Sequence, residues 1–239
     1  PSDYKVMLDK QYRSHEHIME VYNCFYNHDL KIGTDGQNAE KQHHLSIVSN
    51  NRQIITPDRH VYFVDCKEFE NRDTNSTSIY NTNEANVVIK LLDLINRNYN
   101  NNKNYQPTEE TKMSVGIITT YGDQARIIRR RLKNARLNLN SFNKNPDARL
   151  IISTVDDFQG DERDIIILSM VRNPEDRARS NPGFINAYER VNVALSRARR
   201  LLIIVGNRSY LENKGVVYLP DVYGNSNNDQ PNFPIYKEV

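Results

Sequence analysis

Three consecutive residues near the start of the chain, Gln11, Tyr12 and Arg13, place an amide, an aromatic ring and a guanidinium just before a predicted helix. A tyrosine face can stack on a base, and an arginine held at the start of a helix can reach a phosphate. Tyrosine–arginine pairs also serve ordinary packing and solvation. This segment alone therefore fits either a nucleotide contact or a plain surface feature.

A second polar segment follows a predicted apolar strand, where Thr120, Tyr121 and Gly122 precede a basic helix. Open α/β sheets bind ligands at the carboxyl ends of their strands. Hydroxyl groups and a helix N-terminus at that place suit a phosphate or a nucleic-acid backbone. An ordinary strand-to-helix turn with a threonine cap explains the same residues equally well.

A third segment, residues 155–164, is a polar loop between two apolar strands, and it contains Gln159, Gly160 and Glu162. So many polar groups between buried strands need partners, which favours a binding site over a simple connection. Its carboxylates do not indicate a metal site, because no histidine or cysteine is near in sequence and no EF-hand spacing is present.

A fourth segment is a predicted helix that ends in Arg197, Arg199 and Arg200, directly before an apolar strand. Cations near a helix C-terminus are locally favourable, which explains the positive end without any ligand. It does not explain the order Asn-Val-Ala-Leu-Ser-Arg-Ala in combination with the other three segments.

The elements that must position these residues alternate between strands and helices. Continuous apolar runs such as 165–168 indicate strands covered on both faces, as in a parallel sheet. The alternation predicts βαβ units and a doubly wound, mostly parallel sheet with helices on both faces. The predicted strands are residues 61–65, 114–119, 150–154, 164–171 and 201–205. The predicted helices are residues 15–27, 83–99, 122–137 and 187–198, with Asn83 as a candidate cap.

The composition fits one globular domain. The 239 residues are 38% hydrophobic and 26% charged, and the net charge of +2 is too small to predict nucleic-acid binding by itself. No apolar run approaches the ~20 residues that span a bilayer, so we expect no membrane partner. The two widely separated cysteines, Cys24 and Cys66, indicate reduced thiols and an intracellular protein, cytoplasmic or nuclear. We expect a domain over residues 1–207, a polar insertion over about 29–59 and a tail over 208–239.

Taken together, the four segments resemble the second RecA-like motor domain of Upf-like superfamily 1 helicases, a group that includes the nonsense-mediated-decay helicase and senataxin. Gln11-Tyr12-Arg13 resembles the Gln-Tyr-Arg motif of that family, and the resemblance extends over roughly residues 8–207. Residues 117–124 resemble its motif IV region, residues 155–160 with Glu162 its motif V, and residues 190–198 its motif VI. The resemblance implies a RecA-like fold of the P-loop NTPase type.

The resemblance also implies roles for matching residues. Arg13 and Arg197 would contact the γ-phosphate of ATP as arginine fingers, a role that can supply ~10³–10⁵ in rate. Tyr12 would stack on the adenine beside Gln11. Gln159 and Gly160 would line the nucleotide cleft, and Glu162 would face the ribose or the γ-phosphate. Thr120, Tyr121, Thr154 and Val155 would contact the backbone of single-stranded RNA or DNA.

The sequence departs from the family pattern at a few positions. Ser14-His15-Glu16 stands where the family usually has Met-His-Pro, Asp161 and Arg163 stand where it often has Arg and Lys, and Ser196 replaces a usual threonine. None of these changes removes a charged group assigned to phosphate.

No G-x-x-x-x-G-K-[ST] run occurs in the chain, so it has no P-loop of its own. The resemblance places the P-loop on a first RecA-like domain, N-terminal in the full-length protein, with ATP and Mg²⁺ bound jointly in the cleft between the two. We therefore expect an ATP-dependent helicase or translocase, moving 5′ to 3′, of which this chain alone is inactive. A degenerate binding module and the motor of a nuclease-fused repair or defence protein remain alternatives. RNA and DNA are not distinguished, since no 2′-hydroxyl contact is legible.

Overall fold

The computed structural model describes residues 8–103, 105, 107–108, 111–142, 150–176 and 183–214. The strands in chain order are β1 (Lys10–Gln11), β2 (Lys31–Ile32), β3 (Ile47–Ser49), β4 (Arg52–Ile55), β5 (Val61–Asp65), β6 (Val115–Thr119), β7 (Ile151–Thr154), β8 (Arg163–Ser169) and β9 (Ala198–Gly206). The helices are α1 (Glu16–Asn23), α2 (Gln37–Glu40), α3 (Thr82–Asn101), α4 (Gly122–Ala135), α5 (Tyr188–Leu195) and α6 (Arg208–Lys214).

Five strands form the central sheet in the order β5-β9-β8-β6-β7, and every neighbouring pair is parallel. The central strand β8 is buried along its whole length, as its unbroken apolar sequence predicts. The predicted doubly wound, RecA-like α/β fold is therefore confirmed. All five predicted strands are present, with ends that differ by three residues at most.

Helices cover both faces of this sheet, because successive side chains of a strand point to opposite sides. On β8, Ile165 and Ile167 pack into a core formed with α3 and α4. Ile166 and Leu168 pack into the other core, formed with α1, α5 and α6. The two hydrophobic layers bury the strands on both sides, which fixes the edges of the sheet as the places where polar residues can meet.

Helix α3 begins one residue earlier than predicted and has a different cap. The Oδ1 atom of Asn81 accepts hydrogen bonds of 3.0 Å from the backbone N–H groups of Asn83 and Glu84. Asn83 was the predicted cap, and this prediction is wrong. Asn83 lies inside the first turn, and its side chain donates to Glu68 instead. Asn81 has the extended backbone that an N-cap requires.

The polar insertion is more ordered than its sequence predicts. It contains β2, α2 and an antiparallel hairpin of β3 and β4. Leu45, Ile47 and Ile55 from this segment are buried in the same core as α3. The hydroxyl of Tyr99 on α3 also donates to the carbonyl of His43 across 2.6 Å. A few well-placed apolar residues are thus enough to attach the insertion to the sheet.

The first residues beyond Asn207 form α6, in which Tyr210 and Leu211 are buried. Asn207 caps this helix, since its Oδ1 accepts from the Tyr210 N–H at 2.8 Å. The rest of the predicted tail, residues 215–239, lies outside the described residues, and its boundary at 207 stays a prediction. Among the helices described, none is both long and apolar enough to cross a membrane.

Candidate functional site

The residues assigned to phosphate meet at the edge of the sheet where β8 and β9 begin. The chain that enters α1 runs alongside the start of β9, because the Ser14 hydroxyl donates to the carbonyl of Ala198 at 2.7 Å. The His15 N–H donates to the carbonyl of Arg199 at 2.9 Å. These two bonds bring Arg13 next to the turn that contains Arg197, although the two arginines are far apart in sequence.

Arg13, Glu162 and Arg197 form the centre of this arrangement. The Nε of Arg13 lies 2.7 Å from Glu162 Oε2, and its Nη1 donates to the Ser196 carbonyl at 3.2 Å. Arg197 is held by hydrogen bonds to two backbone carbonyls, Val193 at 3.0 Å and Asp161 at 3.4 Å. Partial burial lowers the pKa of Arg197, and the nearby Arg13 charge lowers it further. The hydrogen bonds of its guanidinium to described residues go to these backbone carbonyls and not to a carboxylate.

Two further cations lie beside this centre, and sequence reasoning assigned neither of them to the site. The Nε of Arg199 lies 3.8 Å from Glu162 and 3.9 Å from Asp164, and it is buried without a hydrogen bond. The pKa of Lys41 is lowered by partial burial and then by the charge of Arg199. Lys41 comes from the polar insertion, where no sequence pattern marked it.

We name these five side chains the amino-edge cluster: Arg13, Lys41, Glu162, Arg197 and Arg199. Four of the five are cationic, so the cluster has a surplus of positive charge. Neighbouring acidic residues cancel only part of this surplus, since Asp161 pairs with the buried Arg163, and Asp164 pairs with Arg200 and lies 3.9 Å from Arg199. A group of side chains with more positive than negative charge attracts an anion such as a phosphate.

Gln11 holds the backbone that carries Arg13. Its Oε1 accepts from the N–H groups of Arg13 at 3.0 Å and Ser14 at 2.9 Å. Its Nε2 donates to the Ser14 carbonyl at 2.9 Å, and Gln37 donates to the same carbonyl at the same distance. The side chain of Gln11 therefore fixes the loop before α1.

Tyr12 is a large apolar residue on the surface, with 59% of its area exposed. Its ring packs against Gly33, where a Cβ atom would lie 2.3 Å from the ring carbons. Gly33 is set in place by β1 and β2, and its N–H donates to the Gln11 carbonyl at 2.8 Å. The ring is thus supported from below and open to solvent, which is the arrangement that a stacking partner needs.

The loop between β7 and β8 crosses from one edge of the sheet to the other. Its Phe158 is buried against Gly116, where a Cβ atom would lie 2.9 Å from the ring. Gly160 has a φ of +89°, a backbone conformation that favours glycine. Gln159 and Gly160 are exposed, just before Glu162. The loop therefore delivers its predicted nucleotide-binding residues to the edge that holds the amino-edge cluster.

The residues predicted to contact nucleic acid lie at the opposite edge, where β6 and β7 end. Two of them offer little side chain to a ligand. Thr120 is nearly buried, and its hydroxyl donates to the Met170 carbonyl at 3.0 Å. The Val155 side chain is buried in the core, and its N–H donates to the Thr119 carbonyl at 3.1 Å.

The other two are more accessible. Tyr121 is half-buried, and burial raises the pKa of its hydroxyl. Thr154 is also half-buried, and its hydroxyl donates to the exposed Asp157 carboxylate at 2.7 Å. The structure thus separates the predicted site residues into two groups, one at each edge of the sheet.

Comparison with known proteins gives a consistent result. The chain matches the AAA domain family over residues 2–209. It is 30% identical over 220 residues to the uncharacterized ATP-dependent helicase MJ0104 of Methanocaldococcus jannaschii, covering 90% of this chain. It is 29% identical to the DNA replication ATP-dependent helicase/nuclease JHS1 of Arabidopsis thaliana over 89% of the chain. It is 30% identical to the helicase SEN1 of Saccharomyces cerevisiae over 86%. The chain spans 28%, 15% and 8% of the lengths of these relatives, respectively.

Proposed function

The chain belongs to the AAA domain family, as the second RecA-like domain of a Upf-like superfamily 1 helicase, and from this premise we propose that it is the C-terminal motor half of an ATP-dependent helicase or translocase. In this role it supplies arginine fingers to an ATP site that it shares with a first RecA-like domain. It also supplies some of the contacts to single-stranded RNA or DNA.

The observation that carries this proposal is the amino-edge cluster. Arg13 is anchored by the Ser196 carbonyl and the Glu162 carboxylate, and the neighbouring Arg197 is anchored by two backbone carbonyls. Guanidinium groups held in this way can neutralise charge that develops on a transferring phosphoryl group. Their fixed positions mean that little reorganisation is needed when the phosphate arrives.

The cluster has no P-loop beside it, since the sequence holds no G-x-x-x-x-G-K-[ST] run. The β- and γ-phosphates and Mg²⁺ are therefore held by the first RecA-like domain in this proposal. Tyr12 stacks on the adenine, and Gln11 fixes the Tyr12–Arg13 backbone. Gln159 and Gly160 line the cleft, while Glu162 orients Arg13 and faces the ribose or the γ-phosphate. ATP bound between the domains then draws them together, and hydrolysis releases them.

In this proposal the single-stranded nucleic acid binds at the opposite edge of the sheet, where β6 and β7 end. Tyr121 and Thr154 have the accessible side chains there, so we assign them the side-chain contacts with the backbone of single-stranded RNA or DNA. We assign no side-chain contact to Thr120 or Val155. The Thr120 hydroxyl already donates to a backbone carbonyl, and the Val155 side chain is buried, so these two residues shape the backbone of the site. The direction we propose is 5′ to 3′, and the location we propose is intracellular, cytoplasmic or nuclear.

The test is ATP hydrolysis by the full-length protein, with and without single-stranded RNA or DNA. We expect Arg197→Ala to lower the strand-stimulated kcat by ~10³-fold, as loss of an arginine finger does. Arg97→Ala is the matched control, because Arg97 is an exposed arginine on α3 that pairs only locally with Asp93. An unchanged rate in Arg197→Ala, with folding and strand binding intact, would remove the finger assignment.

A further inference from the structure

Three histidines from separate parts of the chain meet beside the start of β5. His15 and His60 stack with ring centroids 3.5 Å apart and planes within 7° of parallel. His17 packs edge-on against both, with centroids 4.7 Å from His15 and 5.5 Å from His60. One ligand atom from each of the three residues lies within 4.8 Å of the others. Among the described residues, this is the one group of side chains with metal-ligand spacing.

The fold brings these residues together for reasons that the sequence does not reveal. His15 is the N-cap of α1, and His17 lies in its first turn. His60 directly precedes β5, which pairs with β9. The ring of His60 contacts the Arg200 carbonyl through Nδ1 at 2.6 Å. A carbonyl only accepts, so Nδ1 carries the proton and the lone pair of His60 is on Nε2.

A fourth histidine, His43, lies beside the group and differs from it in its hydrogen bonds. Both ring nitrogens of His43 are occupied, since Nε2 contacts the Arg59 carbonyl at 2.9 Å and Nδ1 accepts from the Leu45 N–H at 3.1 Å. The ring of His43 packs against His60 at 4.9 Å. His60 and His17, by contrast, each keep a ring nitrogen that no described residue contacts by a hydrogen bond.

One side of this group faces a groove. His17 and His60 line a groove of about 630 Å³ that opens to solvent, together with Glu20, Arg59 and Arg208.

We propose that His15, His17 and His60 form a binding site for a divalent transition metal of the zinc class, with a water molecule from the groove as the fourth ligand. Three imidazoles and a water are a regular coordination set for Zn²⁺. The Nδ1 proton of His60, held by the Arg200 carbonyl, is the outer contact that orients a metal-bound histidine.

Binding requires the stacked pair to open, because the in-plane lone pairs of two parallel rings do not converge, and one of the two rings must turn until both ring planes contain the metal. With Zn–N distances of ~2.0–2.1 Å, the nitrogens of a tetrahedral site lie about 3.3 Å apart. The half-exposed His17 has the freedom to move inward. Coordination through Nε2 of His15 places its proton on Nδ1, so the 3.2 Å hydrogen bond that Nδ1 accepts from the His17 N–H is lost and the first turn of α1 must adjust. The bound metal would then join α1 to the start of β5, beside the backbone of Arg199 and Arg200.

Isothermal titration of the tag-free full chain with Zn²⁺, and absorption spectra with Co²⁺ as a probe of geometry, test this proposal. We expect one Zn²⁺ per chain, with a Kd of about 10 µM or tighter, and visible Co²⁺ bands of the intensity typical of tetrahedral sites. His17→Asn should weaken Zn²⁺ binding at least ~10-fold. His44→Asn is the matched control, because His44 is outside the group and stacks on Tyr105.

The two readouts keep the test decisive. His17 is the least buried of the three, so its loss should leave the fold intact, which circular dichroism checks. Absence of Zn²⁺ binding at 100 µM total metal, about tenfold above the expected Kd, would overturn the proposal. So would equal binding by the wild type and His17→Asn, since the metal would then lie elsewhere on the chain.

Discussion

The hydroxyl of Ser14 donates to the carbonyl of Ala198 across 2.7 Å, joining positions 184 residues apart at the start of β9. Ser14 is completely buried, and it directly follows Arg13. Ala198 directly follows Arg197. Together with the bond from the His15 N–H to the Arg199 carbonyl, this hydrogen bond sets two arginines of the amino-edge cluster beside each other.

Replacing Ser14 with alanine should disturb this register. The carbonyl of Ala198 loses its side-chain donor in a buried place, which costs about 1–3 kcal/mol of unfolding free energy. We expect the ATPase activity of the full-length protein, measured with single-stranded nucleic acid, to fall because the backbone that carries Arg13 loses a contact with β9. Chemical denaturation should report the loss of stability. Ser209→Ala, in an exposed part of α6, provides the comparison. Unchanged stability and unchanged activity together would show that the bond does not position Arg13.

A methyl group at Gly33 should displace the ring of Tyr12. The added Cβ would lie 2.3 Å from two ring carbons, so the side chain of Tyr12 must move. If the ring stacks on adenine, we expect Gly33→Ala to raise the KM for ATP several-fold, with a smaller effect on kcat. Gly122→Ala is the matched control, because open space surrounds its Cβ position. Steady-state kinetics at a saturating concentration of single-stranded nucleic acid compares the two variants. Equal KM values for ATP in Gly33→Ala and Gly122→Ala would argue against adenine stacking.

Glu84 should make folding stability depend on pH. Burial raises the pKa of its carboxyl from 4.5 to about 7 in the folded state. Between these two values the folded state binds more protons than the unfolded state, so stability is highest below pH 4.5 and falls as pH rises through 7. The loss at pH 8 is at most about 3 kcal/mol.

Glu84→Gln removes the titrating group and should flatten this pH dependence. Urea denaturation at pH 5 and pH 8 measures it as the difference between the two unfolding free energies. The amide of glutamine can still accept the hydrogen bonds from Ser169 and the Val171 N–H. Glu189→Gln, at an exposed position on α5, should leave the wild-type slope unchanged. A slope that persists in Glu84→Gln would assign the pH dependence to other groups.

The thiol of Cys66 should resist alkylation in the folded protein. Burial raises the pKa of this thiol to about 12, which lowers the thiolate fraction at pH 8 by about 10³-fold relative to an ordinary thiol. We expect iodoacetamide to label Cys66 rapidly in urea and very slowly in buffer, as followed by mass spectrometry. Rapid labelling in buffer would mean that the region around β5 opens readily.

The sequence was sufficient to predict the sheet, because β8 and β9 are long apolar runs that only a two-sided core accommodates. It was not sufficient for the hairpin of β3 and β4, which is attached by a few apolar residues within a polar segment. The cap of α3 was misplaced by two residues, since several asparagines stand near that helix start and only backbone conformation selects Asn81.

The candidate site was predictable only in part. Spacing along the chain cannot show that Arg13 and Arg197 are neighbours, and the family resemblance alone placed both on one ligand. Lys41 was missed because it comes from the insertion, where charged residues are unremarkable. Thr120 and Val155 were placed at the expected edge, but burial and internal hydrogen bonds engage the groups that sequence reasoning assigned to a strand.

The loop between β7 and β8 starts at Thr154, on the edge assigned to the strand, and ends at Glu162, in the amino-edge cluster, with Phe158 buried between them. Under the proposed function, this loop gives bound nucleic acid and bound ATP a physical connection, and any coupling between them must be reciprocal. If a bound strand shifts the loop and so changes ATP affinity by some factor, ATP must change strand affinity by the same factor. Because Phe158 is closely packed, the loop has few intermediate positions, and a movement of the loop favours two discrete states. A motor that steps needs alternation of this kind between tight and weak attachment.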